Sequence, residues 1–107
     1  MAEAIVTQMM ADMFKALSHP MRVKIIQAVG DEEQCACELV RQLGIEQSNL
    51  SQHLSILKAR GILTSRKEGQ KVFYRVLFPA ILEVLGSAEK TLREQIQHRQ
   101  RLLTLLK

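Results

Sequence analysis

The chain has 107 residues, 47% of them hydrophobic and 4% aromatic, with a formal charge of +4. That length suits one domain with one modest core, so residues 1–107 read as a single unit. No run approaches the roughly 18 apolar residues of a membrane span, and no basic start followed by an apolar run suggests a secretory leader, so a cytoplasmic protein without a membrane partner is expected. Residues 3–17 read as a first helix, with Ile5, Met9, Met13 and Leu17 on one stripe and Met10 and Phe14 beside it. Methionine at a helical period is ordinarily core filling, but so apolar a first helix in so small a protein also suggests packing against a second subunit. Ser18-His19-Pro20 breaks the chain, Ser18 being placed to cap the helix that follows and proline being tolerated in its first turn. The second helix runs from about Pro20 to Val29 and stops at Gly30, with Arg22 and Lys24 facing outward or toward phosphate.

Asp31-Glu32-Glu33-Gln34 reads as an acidic linker leading into Cys35-Ala36-Cys37-Glu38. Side chains two apart in a regular helix point about 200° away from each other, so these thiols could not share an ion in mid-helix. At a helix start they can. With Cys35 at the N-cap, Cys35-x-x-Glu38 is a capping box with sulfur in place of the hydroxyl. A helix N-terminus favours the thiolate, the form that binds metal or reacts, and the upstream acids would help to attract a cation. One residue apart, the two cysteines have a poor geometry for a structural staple, so free thiols are expected; set against a metal-binding or reactive role is the plain reading of two small buried hydrophobes. Two sulfurs alone do not complete a zinc site, which takes four ligands.

Leu39, Val40 and Leu43 give residues 36–43 an apolar face, and Gly44 ends that helix. After a short turn, Leu50, Leu54 and Leu57 fall at helical spacing, while Gln47, Ser48, Asn49, Ser51, Gln52 and His53 line the other side. An ordinary solvent face would carry Glu and Lys. Amides and hydroxyls instead suit base edges and phosphate oxygens, as in a recognition helix. Residues 62–66 and 71–76 then read as two strands joined by Lys67-Glu68-Gly69-Gln70, a hairpin with its glycine in the turn.

A helix-turn-helix followed at once by a basic hairpin is the winged form of the motif. Lys58, Arg60, Arg66, Lys67, Lys71 and Arg75 face a single acid, Glu68, over residues 58–75, whereas residues 31–46 set five acids against Arg41. This asymmetry suits a polyanion, and the absence of tryptophan argues against bases splayed from a single strand. Double-stranded DNA is the expected partner, with Gln47, Ser48, Asn49, Ser51 and Gln52 in the major groove and His53, Lys58, Arg66, Lys67, Lys71 and Arg75 on phosphates. Residues 80–106 form one long last helix whose stripe of Ile81, Leu85, Ala88, Leu92, Ile96 and Leu103 exceeds what the domain's own core can cover. The expected fold is therefore mainly α with a small β-hairpin: five helices, a two-stranded wing, and a homodimer through the first and last helices.

Phe14-Lys15-Ala16-Leu17-Ser18-His19-Pro20-Met21-Arg22, Leu43-Gly44-Ile45-Glu46-Gln47-Ser48, Leu50-Ser51-Gln52-His53-Leu54-Ser55-Ile56-Leu57-Lys58 and Gly61-Ile62-Leu63 resemble the arsenic-repressor (ArsR/SmtB) family of winged-helix bacterial repressors, from about Met13 to Leu85. The resemblance implies a homodimer that sits on an operator and leaves when an inducer binds. Cys35-Ala36-Cys37-Glu38-Leu39 is similar to the Cys-x-Cys-Asp-Leu box with which members of this family bind thiophilic ions. That similarity implies Cys35 and Cys37 as metal ligands and As(III), Sb(III) or a Cd, Pb or Zn ion as inducer, with no permanent cofactor. The third cysteine of the arsenic type is replaced by Val40, the N-terminal cysteines of the cadmium/lead type are missing, and so are the paired Asp/His of the zinc type. A sensor of oxidants or sulfur species using the same two cysteines is the competing reading. A small redox enzyme would carry Cys-x-x-Cys at a strand-to-helix junction in an alternating β/α chain, and a purely helical assembly module would leave the polar recognition face unexplained.

Overall fold

The computed structural model describes residues 2–106. Helix α1 (Ala2–Leu17) leads into α2 (Pro20–Val29), a short strand β1 (Gln34–Cys35), α3 (Ala36–Leu43), α4 (Gln47–Ala59), strands β2 (Leu63–Glu68) and β3 (Lys71–Val76), and α5 (Ala80–Leu105). The three strands form one antiparallel sheet in the order β1-β3-β2.

The core is built where α2, α3, α4 and the base of the wing meet. Ile25, Ile26, Leu39, Leu50, Leu54, Leu57 and Leu63 are almost wholly removed from solvent there. On the helices these are apolar positions of the amphipathic faces, and Leu63 opens β2, so amphipathicity is what selects the packed helix face. Gly44 ends α3 with φ 60° and ψ 33°, the left-handed geometry that glycine adopts without a Cβ penalty, and its N–H donates to the Val40 carbonyl.

The wing is longer than its apolar pattern suggests. β2 continues through Lys67 and Glu68, Glu68 pairs with Lys71, and the hairpin loop shrinks to Gly69-Gln70. Gly69 has φ 62° and Gln70 has no positive φ, the pattern of a two-residue turn with glycine first, which matches the twist of the flanking strands. β1 begins at Gln34, inside the expected acidic linker of residues 31–34. Its two residues pair with β3, Gln34 opposite Tyr74 and Cys35 opposite Phe73, and such non-local pairing leaves no periodicity in a dipeptide.

The cap of α2 also differs from expectation. His19, with extended backbone, is the N-cap, and its Nδ1 accepts from the Met21 N–H at 3.2 Å. Ser18 instead turns back to donate from Oγ to the Lys15 carbonyl at 2.7 Å.

The outer helices behave otherwise. On α1, Ile5, Val6, Met9 and Met10 are half or more exposed and Phe14 nearly so, so Met9 and Met10 do not fill the core; Met13 alone of that stretch packs on it. On α5 only Ile81 is buried, with Leu82 and Leu85 partly so, while Leu92, Ile96 and Leu103 are each 57% exposed.

Candidate nucleic-acid interface and cysteine pair

α4 sits with Leu50, Leu54 and Leu57 against the core, which turns Gln47, Ser48, Asn49, Ser51 and Gln52 to solvent. The amphipathic period therefore does two things at once: it anchors the helix and it aims five neutral hydrogen-bonding side chains outward. Lys58 is exposed near the end of the same helix, and Lys67, Lys71 and Arg75 are exposed on the wing. Among the described residues the ion pairs are Glu38–Arg41, Glu33–Arg66, Glu68–Arg66 and Glu89–Arg93, which leaves Lys58, Lys67, Lys71 and Arg75 unpaired. A convex helix face and a hairpin, both rich in donors, suit a groove and its flanking phosphates.

Two residues expected on phosphates are engaged elsewhere. His53 is buried at 8% exposure, its Nδ1 accepting from Arg22 Nε at 3.2 Å and its ring tilted against His19 with centroids 4.5 Å apart. Burial, with the nearby His19 and Arg22 charges, holds its pKa below the ordinary 6.5. It is the joint between α2 and α4. Arg22 accordingly points inward, its second donor reaching the Ala16 carbonyl at 3.1 Å. The spacing of His53 on α4 puts it beside Leu54 and Leu57, and that was the available signal for burial. Arg66, though exposed, is held by Glu33 and Glu68. Its charge is reinforced by these carboxylates, the Glu33 hydrogen bond first.

Cys35 is the N-cap of α3, with φ −68° and ψ 139°, and its sulfur accepts from the Cys37 N–H at 3.3 Å. The extended cap brings the two Cα atoms to 5.2 Å, and the two sulfurs are joined in a disulfide. The expectation of free thiols is thus corrected: the pair straddles a helix start, where i and i+2 side chains can meet, rather than a helix interior. Only half of the capping box forms. Glu38 pairs with Arg41 instead of reaching back to the cap. Cys35 is buried and Cys37 exposed. A cleft of about 330 Å³ opens beside them, lined by Val40, by Gln47 and Ser51 of α4, and by Lys71 of the wing.

No group of three or more His, Cys, Asp or Glu that could hold a metal ion is assembled among the described residues. The acids nearest the pair do not supply one, since Glu33 and Glu38 are taken by Arg66 and Arg41. The residues present do not fit a three- or four-ligand metal centre.

The chain matches the bacterial regulatory protein family arsR over residues 19–65, the stretch from the cap of α2 into β2. It is 34% identical over 90 residues to Rv0081 of Mycobacterium tuberculosis, an uncharacterized HTH-type transcriptional regulator, spanning 83% of this chain and 79% of that protein. The chain belongs to the ArsR family. It is a winged helix-turn-helix, DNA-binding transcription regulator and not an enzyme. The crystal structure of Rv0081 superposes with a TM-score of 0.79 at 33% identity, covering 88% of this chain and 95% of that one. Reduced HlyU from Vibrio cholerae superposes with a TM-score of 0.74 at 31% identity, covering 81% and 95%. The transcriptional repressor SmtB of Mycobacterium tuberculosis is 38% identical over 65 residues, 61% of this chain and 48% of that protein. The arsR match excludes α1 and α5, the elements with unburied apolar faces.

Proposed function

We propose that this ArsR-family regulator is a cytoplasmic, homodimeric repressor that binds double-stranded operator DNA and lets it go when the Cys35/Cys37 pair is oxidised. The observation that carries the redox reading is the pair itself: two joined sulfurs at the start of α3, one buried and one exposed, with no third donor gathered around them among the described residues. Membership of the ArsR family and the exposed polar face of α4 support the DNA-binding part. The bare apolar stripes of α1 and α5, with an apolar groove of about 460 Å³ between them lined by Val6, Met9, Met10, Phe78 and Val84, support a second copy as their cover. Two recognition helices would then lie about one duplex turn apart, roughly 34 Å.

The chemistry is a two-electron oxidation by a hydroperoxide. The Cys37 thiolate, the accessible sulfur, attacks the peroxide oxygen; the O–O bond breaks and the expelled hydroxide or alkoxide takes a proton. The resulting sulfenic acid is attacked by the Cys35 sulfur, the S–O bond breaks, and hydroxide leaves with the Cys35 proton as water while the S–S bond forms. A thiol reductant reverses this. Two dithiol protons and two electrons go to the peroxide, so the books balance without a metal. A thiophilic ion such as As(III), Sb(III), Cd, Pb or Zn on the reduced pair is the second reading, favoured by the exposed Cys37 and the cleft beside it. It requires a donor from outside the described residues.

Release of a labelled promoter fragment tests the assignment. Hydrogen peroxide is expected to release DNA from the reduced protein, dithiothreitol to restore binding, and Cys35→Ser/Cys37→Ser to bind DNA and ignore both. Release by arsenite or cadmium with no response to peroxide would replace the redox reading with the metal one. Release that survives the double substitution would return the cysteines to a structural role.

A further inference from the structure

Side chains alternate along a strand, so residues two apart share a face. Cys35 is opposite Phe73 on β3, and Phe73 is opposite Arg66 on β2. Glu68 stands two residues after Arg66, so Cys35, Arg66 and Glu68 share one face of the sheet, and Glu33, just ahead of β1 and two residues before Cys35, reaches the same guanidinium. Arg66 donates from Nε and Nη2 to the two carboxylate oxygens of Glu33, each at 2.7 Å, and from Nη1 to Glu68 at 2.9 Å. Its guanidinium lies over the Phe73 ring, 4.7 Å from the centroid. Each of the three guanidinium nitrogens donates to a carboxylate. A guanidinium fork grips a carboxylate and a phosphate with the same parallel pair of N–H donors.

We propose that Glu33 is an internal stand-in for a DNA phosphate at Arg66, and that the joined Cys35–Cys37 pair keeps it seated, so that the state of the thiols decides whether the wing offers Arg66 to DNA. The inference deepens the redox reading above and rests on it. β1 has only two residues, and by itself so short an edge strand belongs to the weakly held parts of a fold. Its last residue, Cys35, is covalently closed to the first turn of α3, and that small ring restricts the end of β1 two residues from Glu33. Opening the pair frees β1 to leave β3, and Glu33 then withdraws from Arg66. The Glu33 carboxyl is held below its ordinary pKa chiefly by the Arg66 hydrogen bond, so the latch is charged on both sides at neutral pH.

DNA affinity and its salt dependence, measured for the oxidised and reduced forms of wild type, Glu33→Gln and Glu32→Gln, test the latch. In the oxidised form Glu33→Gln is expected to tighten binding by about 3- to 5-fold, the scale of one exposed ion pair, and to steepen the salt slope by about one. Reduced Glu33→Gln is expected to match reduced wild type. Glu32→Gln, a change at a neighbouring exposed acid, controls for the loss of a negative charge and is expected to act alike in both forms. Equal tightening by Glu33→Gln in both forms, or no more than Glu32→Gln produces, would overturn the coupling of latch to thiols. No effect in either form would overturn the latch while leaving oxidative release intact. Identical binding by oxidised and reduced wild type would overturn the redox reading itself, before any variant is compared.

Discussion

The helix-turn-helix core and the two outer helices both carry apolar side chains at helical spacing, yet they solve burial in opposite ways. In α2, α3 and α4 the apolar positions converge on one another, and seven large side chains are less than 2% exposed. On α1 and α5 the same residue types at the same helical spacing stay open, Leu92 and Ile96 at 57% and Met9 at 62%. Periodicity thus tells that a face will be covered, and only the arrangement in space tells by what. The core covers itself within one chain; the outer helices reach past it and leave their stripes open.

Leu57→Ala should give the largest effect, because Leu57 is wholly buried between α4 and the rest of the core. A loss of about 2–5 kcal/mol is expected from lost burial and the cavity left behind, read from denaturant midpoints. A loss under about 1 kcal/mol would mean that the core is not the self-sufficient unit described. Gly44→Ala comes next, at about 1–2 kcal/mol, because a Cβ at φ 60° is strained even though open space surrounds it.

On the outer helices, Ile96→Lys is expected to leave the helical circular dichroism in place and to shift the sedimentation coefficient from dimer to monomer. Retention of the dimer would move the subunit interface off this stripe. On the wing, Lys67→Ala should weaken binding to all DNA sequences alike and lower the salt slope by about one, whereas Gln52→Ala should relax sequence preference.

The smallest effect concerns acid. The folded-state pKa of His53 is depressed, so below 6.5 the unfolded chain takes up a proton that the folded chain refuses. Stability from this site is full above 6.5 and is lost as pH falls through the lower folded value. The denaturant midpoint should therefore drop between pH 7.5 and pH 5, and His53→Gln should flatten part of that drop. An unchanged slope would place His53 in solvent.

Helix ends were legible because they are local. Pro20, Gly30, Gly44 and the Leu50-Leu54-Leu57 spacing each act within a turn or two, and the structure puts the boundaries there. Contacts between residues distant in sequence leave no such local signal. Glu33 meets Arg66 across 33 positions, Arg22 meets His53 across 31, and β1 pairs with a strand some forty residues on.

By itself the sequence determined which segments are helices, which face of α4 is neutral and polar, and that a basic hairpin follows it. These depend on backbone propensity and on the separation of apolar from polar side chains within one element. The tertiary structure decided which charges remain available and how the cysteines are placed. A cation such as Arg66 takes whichever carboxylate the sheet brings within reach, and two thiols can join only where the chain leaves the helix, so both outcomes depend on geometry between elements that no single element encodes.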